Sequence, residues 1–195
     1  MHGEIKLKRE WLPFTAEQVI RQGRGFLWNA TVAQGKIPIR GSDRLIDGVG
    51  EMHWRLWGLL SVMNATGASV TRSAIGRLQA ESVWLPSSLC APDVVWSDTG
   101  CSCAVARLAT LGERADLALT LDESGRVRGA SLPRWGNPNG SAFRYVPFGG
   151  VFEEEQTFDG VTIPTRVRVG WHVGTDRFET EGEFFRATLD TVHFR

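Results

Sequence analysis

Tyrosine is nearly missing from this chain: there is one, against eight tryptophans and ten phenylalanines. Cysteine and methionine are also scarce, at three each, and histidine stands at four. No run approaches the roughly 18 apolar residues that a membrane-crossing helix needs, and the opening MHGEIKLKRE is polar and alternating, unlike a secretory signal. An integral membrane segment is therefore not expected, and the chain reads as a soluble, cytoplasmic protein. It opens inside what reads as a strand, which leaves room for a removed upstream segment.

The three cysteines, Cys90, Cys101 and Cys103, form an odd set. The Cys-x-Cys pair lacks a second pair, and no histidines stand at ligand spacing, so reduced thiols are expected and a metal site is not. Charge of either sign is also missing in net terms: 22 basic residues balance 22 acidic ones. That balance leaves no basic footprint for nucleic acid. The chain has no Gly-x-Ser-x-Gly elbow, phosphate-cradling Gly-Lys-Ser/Thr loop, Gly-x-Gly-x-x-Gly or His-Glu-x-x-His. Elbow-type serine hydrolases, P-loop enzymes, dinucleotide enzymes and zincins are thereby disfavoured, and no cofactor is expected. Acid–base chemistry is not excluded, since it needs only a carboxylate or imidazole in a dry pocket.

What is present is strand-rich. The 195 residues are enough for one hydrophobic core and are read as a single domain, 1–195. His2 to Lys8 alternates as a first strand, and Thr15-Ala16-Glu17-Gln18 matches a capping box that predicts a short N-terminal helix to about Gln22. FLWNATVAQ, KIPIRGSDRLID and EMHWRLWGLLSVM then read as consecutive antiparallel strands, the last two separated by the turn pair Asp47-Gly48. One longer helix is expected from about Ala74 to Trp84, capped by Thr71 or Ser73 and stopped by Pro86. DVVWS, CAVARLAT and the hairpin ADLALTLDESGRVRGASL follow. VFEEEQTF and VTIPTRVRVGWHV then flank Asp159-Gly160, and a last strand lies near EFFRATLDTVHF. About ten strands with one main helix favour a mainly β fold: a curved antiparallel sheet, or half-barrel, wrapped around that helix, with the short N-terminal helix beside it.

Several residues carry candidate chemistry. On a helical wheel Glu81 sits at the margin of the buried arc formed by Ala74, Ile75, Leu78, Ser82 and Leu85, in the last turn, where the helix dipole disfavours an anion. It serves either as a structural ion-pair partner, with Arg77 one turn earlier, or as a general acid or base in a pocket. The Gly- and Pro-rich stretch Arg134 to Gly150 reads either as a lid carrying Arg134, Trp135, Arg144 and Tyr145 or as a plain connection with a short strand. His172 shares a strand face with Arg166 and Arg168, a row that either receives an anionic group or lies solvated on the outside.

The stretches WLPFTAEQ, FLWNA, DRLIDGVGEM, LQAESVWLP, DVVW and IPTRVRVGW, with the Phe-rich last strand, together resemble an uncharacterised bacterial family, a domain of unknown function. The likeness spans nearly the whole chain and implies a domain boundary rather than a mechanism. More distantly, the order of strands, one central helix and more strands is similar to the bacterial lipoprotein-carrier (LolA/VioE-like) fold, a curved sheet around a helical plug whose concave side holds apolar ligands.

The function expected is therefore binding of a hydrophobic small molecule or lipid-like ligand in an apolar pocket on the concave side of the sheet. Its expected lining is Trp28, Trp54, Trp84, Trp96, Arg134, Trp135 and Trp171. The alternative is an isomerase, cyclase or hydrolase using Glu81 as general acid or base, helped by His172 and Tyr145.

Overall fold

A computed structural model describes every residue except Lys36, Thr99, Cys101 and Ser141, and every side chain except also those of Asp98 and Asn139. The sequence expectations about Cys101 fall outside the described residues. The first half of the chain supplies β1 (His2–Leu7), β2 (Glu10–Arg21), β3 (Gly25–Gln34), β4 (Ile37–Ile46), β5 (Val49–Leu56) and β6 (Leu60–Ala65). After α1 (Ala68–Ala80) and two 3-10 turns come β7 (Val95–Asp98), β8 (Cys103–Thr110), β9 (Glu113–Leu121) and β10 (Val127–Gly136). The chain finishes with β11 (Arg144–Phe158), β12 (Val161–Trp171) and β13 (Glu183–Thr188). All thirteen strands belong to one antiparallel, curved and unclosed sheet, in the order β6-β5-β4-β3-β2-β1-β13-β12-β11-β10-β9-β8-β7.

That order has a simple logic. Each half is a meander of neighbouring hairpins, and the first strand pairs with the last, so the seam between the halves runs down the middle of the sheet. The outer edges, β6 and β7, are consecutive in sequence and are joined by α1 and its 3-10 extensions, which pack across the concave side against β10, β5 and β9. The half-barrel around one main helix is thus present.

The short N-terminal helix is not. Thr15 to Gln22 falls mostly within β2, which pairs with β1 on one side and β3 on the other. The capping-box pattern spans four residues, and two flanking ladders outweigh it. The underlying alternation is that of a strand, with Phe14 and Ala16 buried and Thr15, Glu17 and Val19 exposed. The helix α1 also starts earlier than its capping candidates implied, at Ala68 behind Gly67, with no side-chain cap. Thr71 instead uses Oγ1 to accept a hydrogen bond from the Gly50 amide at 3.0 Å. Its end is where Pro86 places it: α1 runs into a 3-10 turn over Glu81–Trp84, and Leu85 leaves the helical region with φ −132° and ψ 67°.

EMHWRLWGLLSVM is two strands rather than one, folded at Trp57-Gly58, where both residues take left-handed φ values of 53° and 73°. Asp47-Gly48 and Asp159-Gly160 adopt the same turn geometry, which suits the right-handed twist of the strands it joins. The Arg134–Gly150 segment is a hairpin and not a lid: β10 pairs with β11 from Gly129↔Val151 to Gly136↔Arg144.

The core on the β1–β5 side is aromatic. Phe14 stacks on Phe185 at 5.0 Å between ring centroids and meets Trp28 edge-on at 5.9 Å, and Trp28 meets Trp54 at 5.7 Å. Trp54 lies over Gly41 on the facing strand, where a Cβ would fall 2.1 Å from the indole, so only glycine leaves room for the ring. Each such buried ring contributes on the order of 2–3 kcal/mol through the apolar surface it removes from water.

Candidate functional site

Asp43 occupies an inward position of β4 between Gly41 and Leu45 and so delivers a carboxylate to the concave side. Arg77 meets it from α1. Its Nη1 donates to Asp43 Oδ2 at 3.1 Å and its Nε to Glu81 Oε1 at 2.7 Å, while the guanidinium stacks over Phe26 and Trp28 at 4.4 and 5.3 Å. Gln18 Nε2 donates to Glu81 Oε2 at 2.6 Å, and Trp54 Nε1 donates to Asp43 Oδ1 at 2.9 Å. A second guanidinium, Arg134, lies against the helix, where Gly76 leaves room for its stem. It donates through Nε to the Ser73 carbonyl at 2.9 Å and through Nη2 to Ser73 Oγ at 3.2 Å, and lies over Phe148 and Trp171.

Two anions and two cations thus share the space between helix and sheet. Burial pushes the Asp43 carboxyl above its ordinary range, against the pull of Arg77, the Trp54 indole and Arg134. Burial alone would lower Arg77, but Glu81 and Asp43 outweigh it and raise the guanidinium. Among the described residues Arg134 has no such carboxylate hydrogen bond. Burial, with the charge of Arg77 nearby, brings it down to about 9.

Glu81 therefore meets an arginine and a glutamine, not an open pocket. Its charge is held by Arg77 on its own helix and by Gln18 from β2, and the residue is 8% exposed. This arrangement favours the structural role over the catalytic one.

The other candidate residues fall into separate groups. Trp28 and Trp54 are packed together in the core, and Arg134 lies over Trp171. Trp135 packs edge-on against Tyr145 at 5.2 Å and under Arg72, at the end of the β10–β11 hairpin, where Tyr145 is exposed. Trp84 donates its indole N–H to the Pro164 carbonyl at 3.0 Å, and the exposed Trp96 donates to the Leu89 carbonyl at 3.1 Å.

The arginine row beside His172 already has carboxylates of its own. Arg166 pairs with Glu153 and Glu154, and Arg168 with Glu179 and Glu183. His172 is buried in a left-handed backbone conformation at the end of β12, donating its amide N–H to the Pro147 carbonyl. Burial and the charge of Arg177 lower its imidazole pKa, which favours the neutral form.

An open space with apolar walls lies elsewhere, beside the end of the helix. A half-open cleft of about 160 Å³ sits where the 3-10 extension of α1 meets the ends of β2 and β8. Ile20, Leu78, Leu85, Val94, Leu108 and Leu111 give it apolar walls, and Ser82 and Ser88 contribute hydroxyls. No tryptophan lines it. Of these residues the sequence marks Leu78, Ser82 and Leu85, on the inner arc of the helix; what joins them to Ile20 and Leu108 is the curvature of the sheet.

Against known proteins, a family model described as a family of unknown function (DUF6920) matches residues 1–194. The chain belongs to this family. No curated protein and no solved structure matches it. The DUF6920 assignment agrees with the resemblance carried by WLPFTAEQ, LQAESVWLP and IPTRVRVGW, and no match supports the lipoprotein-carrier likeness. Among the described residues, no group of histidine, cysteine and carboxylate side chains is placed to hold a metal, and no helix is long and apolar enough to cross a membrane.

Proposed function

We propose that this DUF6920 chain binds a hydrophobic small molecule or the end of a lipid-like chain between its helix and the concave side of its sheet. The observation that carries the reading is the cleft beside Leu78, Ser82 and Leu85, an unfilled space with apolar walls and a polar rim that includes Gln22 and Asp93, next to the buried core. Its volume of about 160 Å³ suits an aromatic ring or a short alkyl segment, for an apolar cavity of roughly 150 Å³ is known to accept benzene. The tryptophans in this reading are the rigid wall that shapes the sheet, and the ligand enters from the open rim. The cytoplasmic setting belongs to the same proposal and agrees with an exposed thiol at Cys90.

Ser82 makes no side-chain hydrogen bond among the described residues, and it lines the cleft. Thermal unfolding of the parent protein across a series of n-alkyl and aryl compounds is expected to show saturable stabilisation, about 2.7 kcal/mol at one hundred times Kd. Ser82→Phe, which fills the space, is expected to remove that response while leaving the fold intact. A flat response across the series, or an undiminished response in Ser82→Phe, would refute the proposal.

A further inference from the structure

The β5–β6 hairpin exposes Trp57, Leu59 and Leu60 together at its turn, with Leu59 81% exposed, and Val62 and Met63 follow on the edge strand β6. Trp57 takes a left-handed φ of 53° in the three-residue connection Trp57 to Leu59, a position that asparagine, aspartate or glycine fills most cheaply in a tight hairpin turn. A tryptophan there meets an unfavourable backbone and, 55% exposed, recovers little of that cost by packing.

Behind this tip lies a second, independent oddity. Arg40 on β4 and Arg55 on β5 are direct cross-strand partners, and neither makes an ion pair or hydrogen bond among the described residues. Like charges in that position repel. The contrast with the rest of the sheet is plain: Arg44, four residues further along β4 and paired across the same two strands, is matched with Glu51. Arg40, Arg55 and the turn residue Gly58 all line one open groove of about 820 Å³ on the outer face, so the arginine pair and the apolar tip are neighbours. The groove's carboxylates do not answer the arginines. Asp190 is held by His2, and Glu17 lies on β2, two strands from Arg40 and three from Arg55, roughly 10–15 Å away at the usual strand spacing.

We propose that the β5–β6 hairpin tip and the Arg40–Arg55 pair form a docking element for an anionic lipid surface. Indole and aliphatic side chains enter the boundary between head groups and acyl chains, while the two guanidiniums bind the phosphates above it. A soluble phosphate accounts for the arginines but leaves the apolar tip in water. A second copy of the chain covers the tip, but symmetric pairing brings a second set of unpaired arginines close to the first. The lipid surface satisfies both features at once.

Co-sedimentation with vesicles tests this. The parent protein is expected to bind phosphatidylcholine vesicles containing roughly a third phosphatidylglycerol, to bind pure phosphatidylcholine weakly, and to be released by salt. Trp57→Ser with Leu59→Ser is expected to cut binding to the anionic vesicles by about tenfold or more. Arg40→Gln with Arg55→Gln is expected to erase the preference for anionic over neutral vesicles. All four side chains are exposed, so unchanged unfolding temperatures will show that the variants are folded. Failure of the parent to bind anionic vesicles, or undiminished binding by the hairpin variant, overturns the proposal. So does concentration-dependent self-association that the hairpin substitutions abolish without any vesicle binding, and so does a stabilising response to inorganic phosphate alone.

Discussion

Replacing Glu81 is the sharpest test of the charge network between helix and sheet. Glu81→Gln keeps the side chain's shape but removes one of two carboxylates that face two guanidiniums. Breaking a buried ion pair typically costs about 3–5 kcal/mol. Here Arg77 retains Asp43 at 3.1 Å, so a smaller loss of about 2–3 kcal/mol is expected, or roughly 4–12 °C in unfolding temperature for a chain of this size. Arg77→Met is the harsher change, because it leaves Asp43 and Glu81 with their neutral donors Trp54 and Gln18 and, of the two cations, only Arg134. Its cost should lie near the upper end, about 4–5 kcal/mol. Combining the two removes one charge of each sign and leaves Asp43 facing Arg134. The double variant is therefore expected to be more stable than the sum of the singles implies, with a coupling of about 2 kcal/mol. Urea unfolding at pH 7, followed by tryptophan fluorescence, measures all four corners of the cycle. Additive losses within about 0.5 kcal/mol would refute the idea that these groups act as one balanced set.

Two further outcomes follow from the same packing. Gly76→Ala, normally a gain of up to about 1 kcal/mol inside a helix, is expected to lose about 1–2 kcal/mol, because the new Cβ would lie 2.9 Å from Arg134 Cγ; thermal unfolding decides the sign. Burial alone would raise the Glu183 carboxyl, but hydrogen bonds from Arg168 and Arg186 outweigh it and hold it down to about 2, against an ordinary value of 4.5. Because its folded-state pKa is depressed, its contribution is complete above pH 4.5 and lost as the pH falls through about 2. After allowance for solvent screening that contribution is on the order of 2 kcal/mol, and Glu183→Gln should flatten acid unfolding in this window.

Much of the fold was legible because strands, turns and the helix stop are written locally. The alternation in VTIPTRVRVGW, the Asp47-Gly48 and Asp159-Gly160 turns and the arrest at Pro86 each depend on a few adjacent residues. What misled were local signals overruled from a distance, such as the capping box at Thr15, which yields to ladders on both sides of β2. The turns at Trp57-Gly58 and Leu111-Gly112 place a large apolar residue where turn chemistry prefers asparagine or aspartate, so composition concealed them. At Glu81 the sequence showed the contact four residues away, Arg77, but not Gln18, which is 63 residues distant in the chain. Nor did it reveal Asp43, whose inward place in IPIRGSDRLI was the one available clue that a carboxylate meets the helix from the sheet.

The seam between β1 and β13 bears on how the chain can be shortened and how it assembles. Trimming an edge strand frays only the margin of a sheet. In this one the last strand lies between β1 and β12, so deleting Glu183–Thr188 would split the sheet through its centre and leave two meanders tethered only by the helix. The same contact joins residues far apart in sequence, such as His2 and Thr188, and so closes late, after the local hairpins on either side have formed. Until it does, β1 and β13 each present an unpaired edge, and a chaperone or an unintended partner strand has that interval in which to intervene.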